Sequence, residues 1–267
     1  LLLLWGLAQL RLAASTGGFA RVAAGFARVV AGSLGVVAVA ALLAGPFLAR
    51  TYAEFGSILG PPRLQNSIPM QRHDPAAILV NGLRIGHTAL DTPLTPLRDL
   101  PASSIAEVAA AVGVDPNAPA ITFPHTTFPV RAWYPDEDRV AFPLQGVLAL
   151  LAGYFCLVRP RWFTKRPGIL RAYLATVALS MLLYIATVKW QPWGNRLILF
   201  VAMLATPLVG LWLDRVLDRS ASCRWPGAGR WKARAAMATL VVVALSATLA
   251  VGYGFPRRLV GSGSGFT

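Results

Sequence analysis

Apolar positions in this chain come in long uninterrupted blocks, not in the alternation of a strand or the stripe of a surface helix. Five blocks hold no Asp, Glu, Lys or Arg: Val29–Ala49, Val140–Val158, Ala172–Val188, Leu197–Leu213 and Ala235–Tyr253. Each has 17 to 21 residues, enough for a helix to cross about 30 Å of hydrocarbon. Pro143 and Pro207 are compatible with spanning helices, because neighbouring helices re-satisfy the freed backbone groups. Leu1–Leu10 reads as the tail of a further apolar helix. The pattern predicts an all-α polytopic membrane protein of about five transmembrane helices, with a mostly helical, Pro-rich, outward-facing insertion.

Four regions follow. Residues 1–49 hold the end of a truncated span, a cytoplasmic loop and the first full span. Residues 50–139 form an extracytoplasmic domain, 140–253 carry four spans joined by basic cytoplasmic loops, and 254–267 are a truncated extracytoplasmic tail. The chain opens at Leu1 with no Met or basic lead-in and ends in a Gly/Ser tail, so it is read as a fragment of a longer protein.

Residues 50–139 are too long for a simple connector. Ala76–Leu90 is expected to be helical, with Ile78, Leu79, Leu83 and Leu90 on one face. Ser104-Ile105-Ala106-Glu107 reads as a capping box opening an Ala-rich helix that stops at Gly113. Asp115-Pro116-Asn117 reads as a turn, and Val130–Tyr134 as a short extended piece.

Composition agrees with a bilayer setting. Of 267 residues, 55% are hydrophobic and 13% charged, against about 25% charged in soluble domains. The net charge of +14 is unevenly spread. Arg159, Arg161, Lys165, Arg166 and Arg171 occupy one short loop; Arg215, Arg219, Arg224, Arg230, Lys232 and Arg234 occupy another, against only Asp214 and Asp218. Both loops fall on the same side as Arg11, Arg21 and Arg28, which makes that side cytoplasmic by the positive-inside rule. The protein is therefore expected in a bacterial inner membrane as a multi-pass protein, with 50–139 extracytoplasmic. Topology accounts for the basic loops and no nucleic-acid module accompanies them, so no nucleic-acid partner is expected. The two cysteines, Cys156 in a span and Cys223 in a basic loop, do not suggest a disulfide framework.

Two clusters carry candidate chemistry. Lys189-Trp190-Gln191-Pro192-Trp193-Gly194-Asn195-Arg196 tightly connects two spans. Its indoles suit a membrane interface, and Arg196 on the outward side suits a phosphate at headgroup depth. Asp136-Glu137-Asp138-Arg139 precedes a span; its carboxylates read either as a solvated charge run or as an acid, base or cation site. His73, His87 and His125 are irregularly spaced, unlike zinc ligands, so no metal site is expected. A phosphate-binding Gly-x4-Gly-Lys loop and a Gly-x-Ser-x-Gly elbow are both absent, and no cofactor is implied.

The stretch KWQPWGNRLILFVAMLATPLVG, Lys189–Gly210, resembles a segment near the carboxy end of multi-spanning bacterial proteins of the GT-C class of membrane glycosyltransferases, near the dolichyl-phosphate-mannose-protein mannosyltransferase type. Asn81-Gly82-Leu83-Arg84 is similar to an Asn-x-Leu-Arg of their outer domain, Glu137-Asp138 with Pro143-Leu144 to a Glu-Asp…Asn-Pro-Leu-His pattern, and Arg257–Gly261 to an Arg-Pro-Leu-x-Gly segment. Phe142 and Gln145 depart from it, standing where the family tends to show Asn and His.

The resemblance implies transfer of a sugar from a polyprenyl-phosphate carrier to an acceptor on the outer membrane face. It also implies that the catalytic carboxylate lies in an earlier loop than this fragment holds, so the catalytic residues are not identified. Candidate substrate-binding residues are Arg196, Lys189, Gln191, Asn195, Trp190, Trp193, Glu137, Asp138 and Arg84. The expected partners are the lipid bilayer and a polyprenyl-phosphate-linked sugar. A secondary transporter and a non-enzymatic cell-envelope protein are the alternatives; the spans show neither the charged residues nor the repeats usual for the former.

Overall fold

A computed structural model describes residues 19–130 and 141–221, with scattered helical positions between 234 and 248. Its elements are helical: α1 (Phe19–Phe55), α2 (Pro62–Ser67), α3 (Pro75–Ala89), α4 (Thr95–Ala111), α5 (Pro143–Val158), α6 (Pro167–Thr187) and α7 (Leu199–Ala221), with 3-10 turns at Pro160–Trp162 and Gly194–Ile198. Among the described residues no strand forms, only two isolated bridges.

Among the described residues, three helical segments are long and apolar enough to cross a membrane: Ala23–Phe55, Pro167–Thr187 and Gly194–Val216. Helix α5, at 16 residues, is a shorter apolar helix. Its block was expected from Val140, but the helix starts at Pro143, whose missing N–H and fixed φ suit the first helical position. Helix α1 exceeds its expected block at both ends and runs through Pro46. The last block, Ala235–Tyr253, is described only at scattered positions.

Large apolar side chains face outward along these helices, including Leu42, Leu43, Phe47, Leu150, Leu183 and Met203. A soluble monomer rarely exposes so continuous an apolar surface. Helices α5, α6 and α7 pack together around Ala152, Cys156, Phe163, Leu170 and Leu208. The Tyr173 hydroxyl donates to the Leu204 carbonyl at 2.7 Å, tying α6 to α7.

Local sequence explains the ends of the helices between α1 and α5. Asp74 caps α3 by accepting from the Ala77 amide at 3.1 Å, and Pro75 takes the first position. Helix α4 begins at Thr95, with Pro96 in its first turn, and continues through Pro101. The expected capping box is therefore not a helix start. Ser104 lies inside α4, its hydroxyl bonded back to the Leu100 carbonyl, a local bond Ser makes readily in mid-helix. Gly113 does follow the helix end, at φ +68°, and Asp115–Asn117 is a turn in which the Asp115 carboxylate accepts from the Asn117 amide.

The buried face of α3 differs from the expected one. Leu79 and Leu83 are exposed, whereas Ala77, Val80, Asn81, Arg84, Ile85 and Thr88 are buried. Helix α3 packs against both α4 and α6, and the side turned to α6 carries its polar residues. Hydrogen bonds offset the desolvation of those groups.

Asp91, just beyond α3, is half-buried. Burial raises its carboxyl above the ordinary range, opposed by the Thr92 amide and the nearby His87 and Arg98. A carboxyl with a higher pKa folded than unfolded destabilises the fold above that folded value, and the cost fades as pH falls through it. Asp91→Asn is therefore expected to raise the thermal midpoint at pH 7 and to lose that advantage in acid. A variant that melts at or below the wild-type temperature at pH 7 contradicts this.

Candidate functional site

The connection between α6 and α7 is where most of the candidate residues meet. After Thr187 the chain becomes extended, with Val188 at φ −114° and ψ 127°. It lies between two other extended pieces: Val188 bridges Pro69 antiparallel and Trp190 bridges Thr122 in parallel. The Met70 amide donates to Thr187, the Lys189 amide to Ile68, the Trp190 amide to Ile121 and the Phe123 amide to Trp190, at 2.9–3.0 Å.

Helix α3 and this connection cap one another. The last carbonyls of a helix have no partner within it. At the end of α6, the Asn81 amide donates to the carbonyls of Ile185 (2.7 Å) and Val188 (2.8 Å). At the end of α3, the Asn195 amide donates to the Thr88 carbonyl at 3.0 Å, and the Phe142 backbone amide to the Ala89 carbonyl at 2.9 Å. The Asn81 carbonyl oxygen accepts from the Trp190 backbone amide and from Arg84 Nη2.

Arg84 is fully buried. Its guanidinium donates to the Pro116 carbonyl, to Thr122 Oγ1 at 2.8 Å, to the Ile121 carbonyl at 2.9 Å and to Asn81. It also lies 5.5 Å from the centroid of the Trp190 ring. Burial pulls its pKa down to about 10, partly countered by Asp115, so it stays cationic at neutral pH. Trp190 is 1% exposed. Its indole N–H donates to Thr88 Oγ1 at 2.8 Å, and its ring meets Phe128 edge-on. Trp193 meets Phe123 in the same way.

Lys189, Gln191 and Asn195 are buried, Trp193 is partly exposed, and Arg196 is exposed within the 3-10 turn. The fold thus brings Arg84, Lys189, Trp190, Gln191 and Asn195 into one neighbourhood, with Trp193 and Arg196 at its rim. Glu137 and Asp138 lie outside the described residues, as does the expected extended piece beyond Val130. The histidines do not converge. His87 donates to the Arg98 carbonyl, His125 sits at φ +60°, and His73 is exposed.

Beside the connection, a cavity of about 610 Å³ opens between α5, α6 and α7, lined also by Ala89 at the end of α3 and by Leu90 after it. Its walls are almost wholly apolar, and Ile198 of the same 3-10 turn as Arg196 is part of them. Phe142 and Gln145, the two departures from the glycosyltransferase-like pattern, also line it.

Thr88 and Tyr184 escaped the sequence reading. Thr88 follows Asn81 and Arg84 at helical spacing, so a polar stripe was visible, but not that it would be buried. Tyr184 sits in an apolar block with nothing to mark it.

No protein-family model matches the chain, nor does any curated protein or solved structure.

Proposed function

We propose that the chain is the carboxy-terminal part of a membrane glycosyltransferase that moves a sugar from a polyprenyl-phosphate carrier to an acceptor on the outer membrane face. In this reading five helices span the inner membrane, and residues 50–139 lie on the extracytoplasmic side. The observation that carries it is a basic, polar connection beside an apolar cavity between helices, which Ile198 of its 3-10 turn helps to line, an arrangement suited to an amphiphile with an anionic head and a hydrocarbon tail. Arg196 and Lys189 stand at the head. The catalytic base belongs to another part of the protein.

The test is sugar transfer from polyprenyl-phosphate sugars by the full-length protein in membranes. Arg196→Ala is expected to reduce transfer by about tenfold or more, the worth of one charge-assisted hydrogen bond. Unchanged transfer removes Arg196 from the reaction.

A second reading is a non-enzymatic cell-envelope protein that presents its helical insertion to a partner. In its favour, Trp190 and Asn195, with Asn81, are engaged in holding the insertion to the apolar helices. Absence of transfer from every polyprenyl-phosphate sugar tried favours it.

A further inference from the structure

Helix α4 carries its apolar exposure at one end. Its buried residues recur at helical spacing and pack on α3: Ala102 and Ile105 cluster with Ile85 and Ala89, and Ala109 with Ala77 and Val80. A second row, Leu97, Leu100, Ser104 and Glu107, recurs at steps of three and four residues and so shares another face. All four are exposed, and Leu94, one turn earlier, continues the row. Leu94 is 58% exposed, Leu97 60% and Leu100 68%, against 38% for Val108 and 37% for Val112 near the far end. A surface helix ordinarily sorts apolar from polar residues around its axis. This row sorts them along it, from leucine to serine and glutamate, so the surroundings of α4 change from one end to the other.

The leucine end is the end beside the apolar helices. The Phe142 amide, just ahead of α5, donates to the Ala89 carbonyl at 2.9 Å. In the first turn of α5, a Cβ placed on Gly146 would lie 2.5 Å from Leu90 Cδ2, so Leu90 rests against that turn. Helix α5 packs in turn against α6 and α7, which lie in segments of membrane-spanning length. Four residues of chain carry Leu94 at most about 14 Å from Leu90. The leucine row therefore begins next to the surface of any bilayer that holds those helices. Charge does not oppose this: Arg98, between Leu97 and Leu100 in the sequence, has a side chain only 17% exposed and pairs with Asp99 at 2.9 Å.

We infer that the first two turns of α4 are an interfacial anchor, in which Leu94, Leu97 and Leu100 enter the boundary between headgroups and acyl chains while Glu107 stays in water. The occupant of this face is the lipid surface. Through Leu90 and Gly146 the face adjoins Leu150, one turn on in α5 and also exposed, and its apolar character ends with distance along α4 from that junction. Such an element adds apolar burial without crossing the bilayer. It seats the α3–α4 corner, and with it Leu90 at the wall of the cavity. Nothing in this anchor depends on sugar transfer; it requires only that α5, α6 and α7 lie in a bilayer.

Nitroxide spin labels on the full chain in phosphatidylcholine nanodiscs test it. Labels are attached singly through Leu97→Cys, Leu100→Cys and Glu107→Cys, with Leu150→Cys in α5 as the lipid-facing reference. The Cys223→Ser chain, in which Cys156 is buried, serves as the background. All four positions are exposed, so the labels leave the packing between helices in place. Relaxation by molecular oxygen, which concentrates in lipid, is compared with relaxation by a water-soluble nickel chelate. Labels at 97 and 100 are expected to favour oxygen and to read about 5–10 Å into the headgroup–acyl boundary, while the label at 107 favours nickel. Nickel accessibility at 97 and 100 equal to that at 107 overturns the anchor. So does shielding of 97 and 100 from both reagents, which marks a second copy or a partner protein on the leucines. A label at 150 that favours nickel takes α5 out of the lipid, and the anchor falls with it.

Discussion

Arg84→Met is expected to destabilise the fold by about 3 kcal/mol. The guanidinium satisfies two carbonyls, a hydroxyl and an amide oxygen in a region closed to solvent, and an orphaned buried acceptor costs about 1–3 kcal/mol. Relief from burying a cation, visible in the pKa held down to about 10, offsets part of that sum. Arg84→Lys should be nearly as damaging, because one ammonium cannot reproduce the planar fork that reaches Thr122 and Ile121 together. Thermal or denaturant unfolding in detergent measures both variants. A Met variant as stable as the wild type would show that the acceptors find other partners, and the Arg84 hydrogen bonds would then be incidental.

Trp190→Ala is expected to cost about 3–5 kcal/mol, the range for removing a large buried aromatic side chain. The ring fills the space between Arg84, Phe128 and α3, and its N–H takes the Thr88 hydroxyl. Trp190→Phe keeps most of the ring and loses that hydrogen bond, so it should cost nearer 1 kcal/mol. A double-mutant cycle with Thr88→Val isolates the bond. If Trp190→Phe is as harmful as Trp190→Ala, the indole N–H and not the packing dominates.

These effects bear on how the candidate residues divide. Arg84, Trp190 and Asn195 were singled out in the sequence as substrate-binding candidates, and their polar groups are bonded to the chain itself. Lys189 and Gln191 were singled out with them and keep unmet polar groups. Residue type and position do not separate the two sets. Asn81, read only as one end of an Asn-x-Leu-Arg resemblance, closes the open end of α6.

Much of the architecture was legible because bilayer-length apolar blocks dictate helices whatever their neighbours. The blocks at Ala172–Val188 and Leu197–Leu213 match helices found there, apart from Val188, which is extended, and Leu197-Ile198, which lie in the 3-10 turn, and Gly113 and Asp115–Asn117 behave as their local chemistry demands. Local signals failed where two were in competition. Ser104-x-x-Glu107 resembles a helix start, yet Thr95-Pro96 starts the helix nine residues earlier and α4 runs through both. On α3 the leucines pointed to one face as the buried one, yet Leu79 and Leu83 are exposed and Asn81, Arg84 and Thr88 are buried.

The linear order of residues settled that the chain is helical, with helices of membrane-spanning length and a Pro-rich polar segment between them, because hydrophobic run length and proline geometry act over a few residues. Pairing was beyond it. Asn81 meets Val188, Arg84 meets Thr122 and Thr88 meets Trp190 across separations of 38 to 107 residues; the first caps the end of α6, and the other two satisfy polar side chains that the packing around α3 buries. The same packing buried Lys189 without a counter-charge, a property that belongs to no residue until its neighbours are in place.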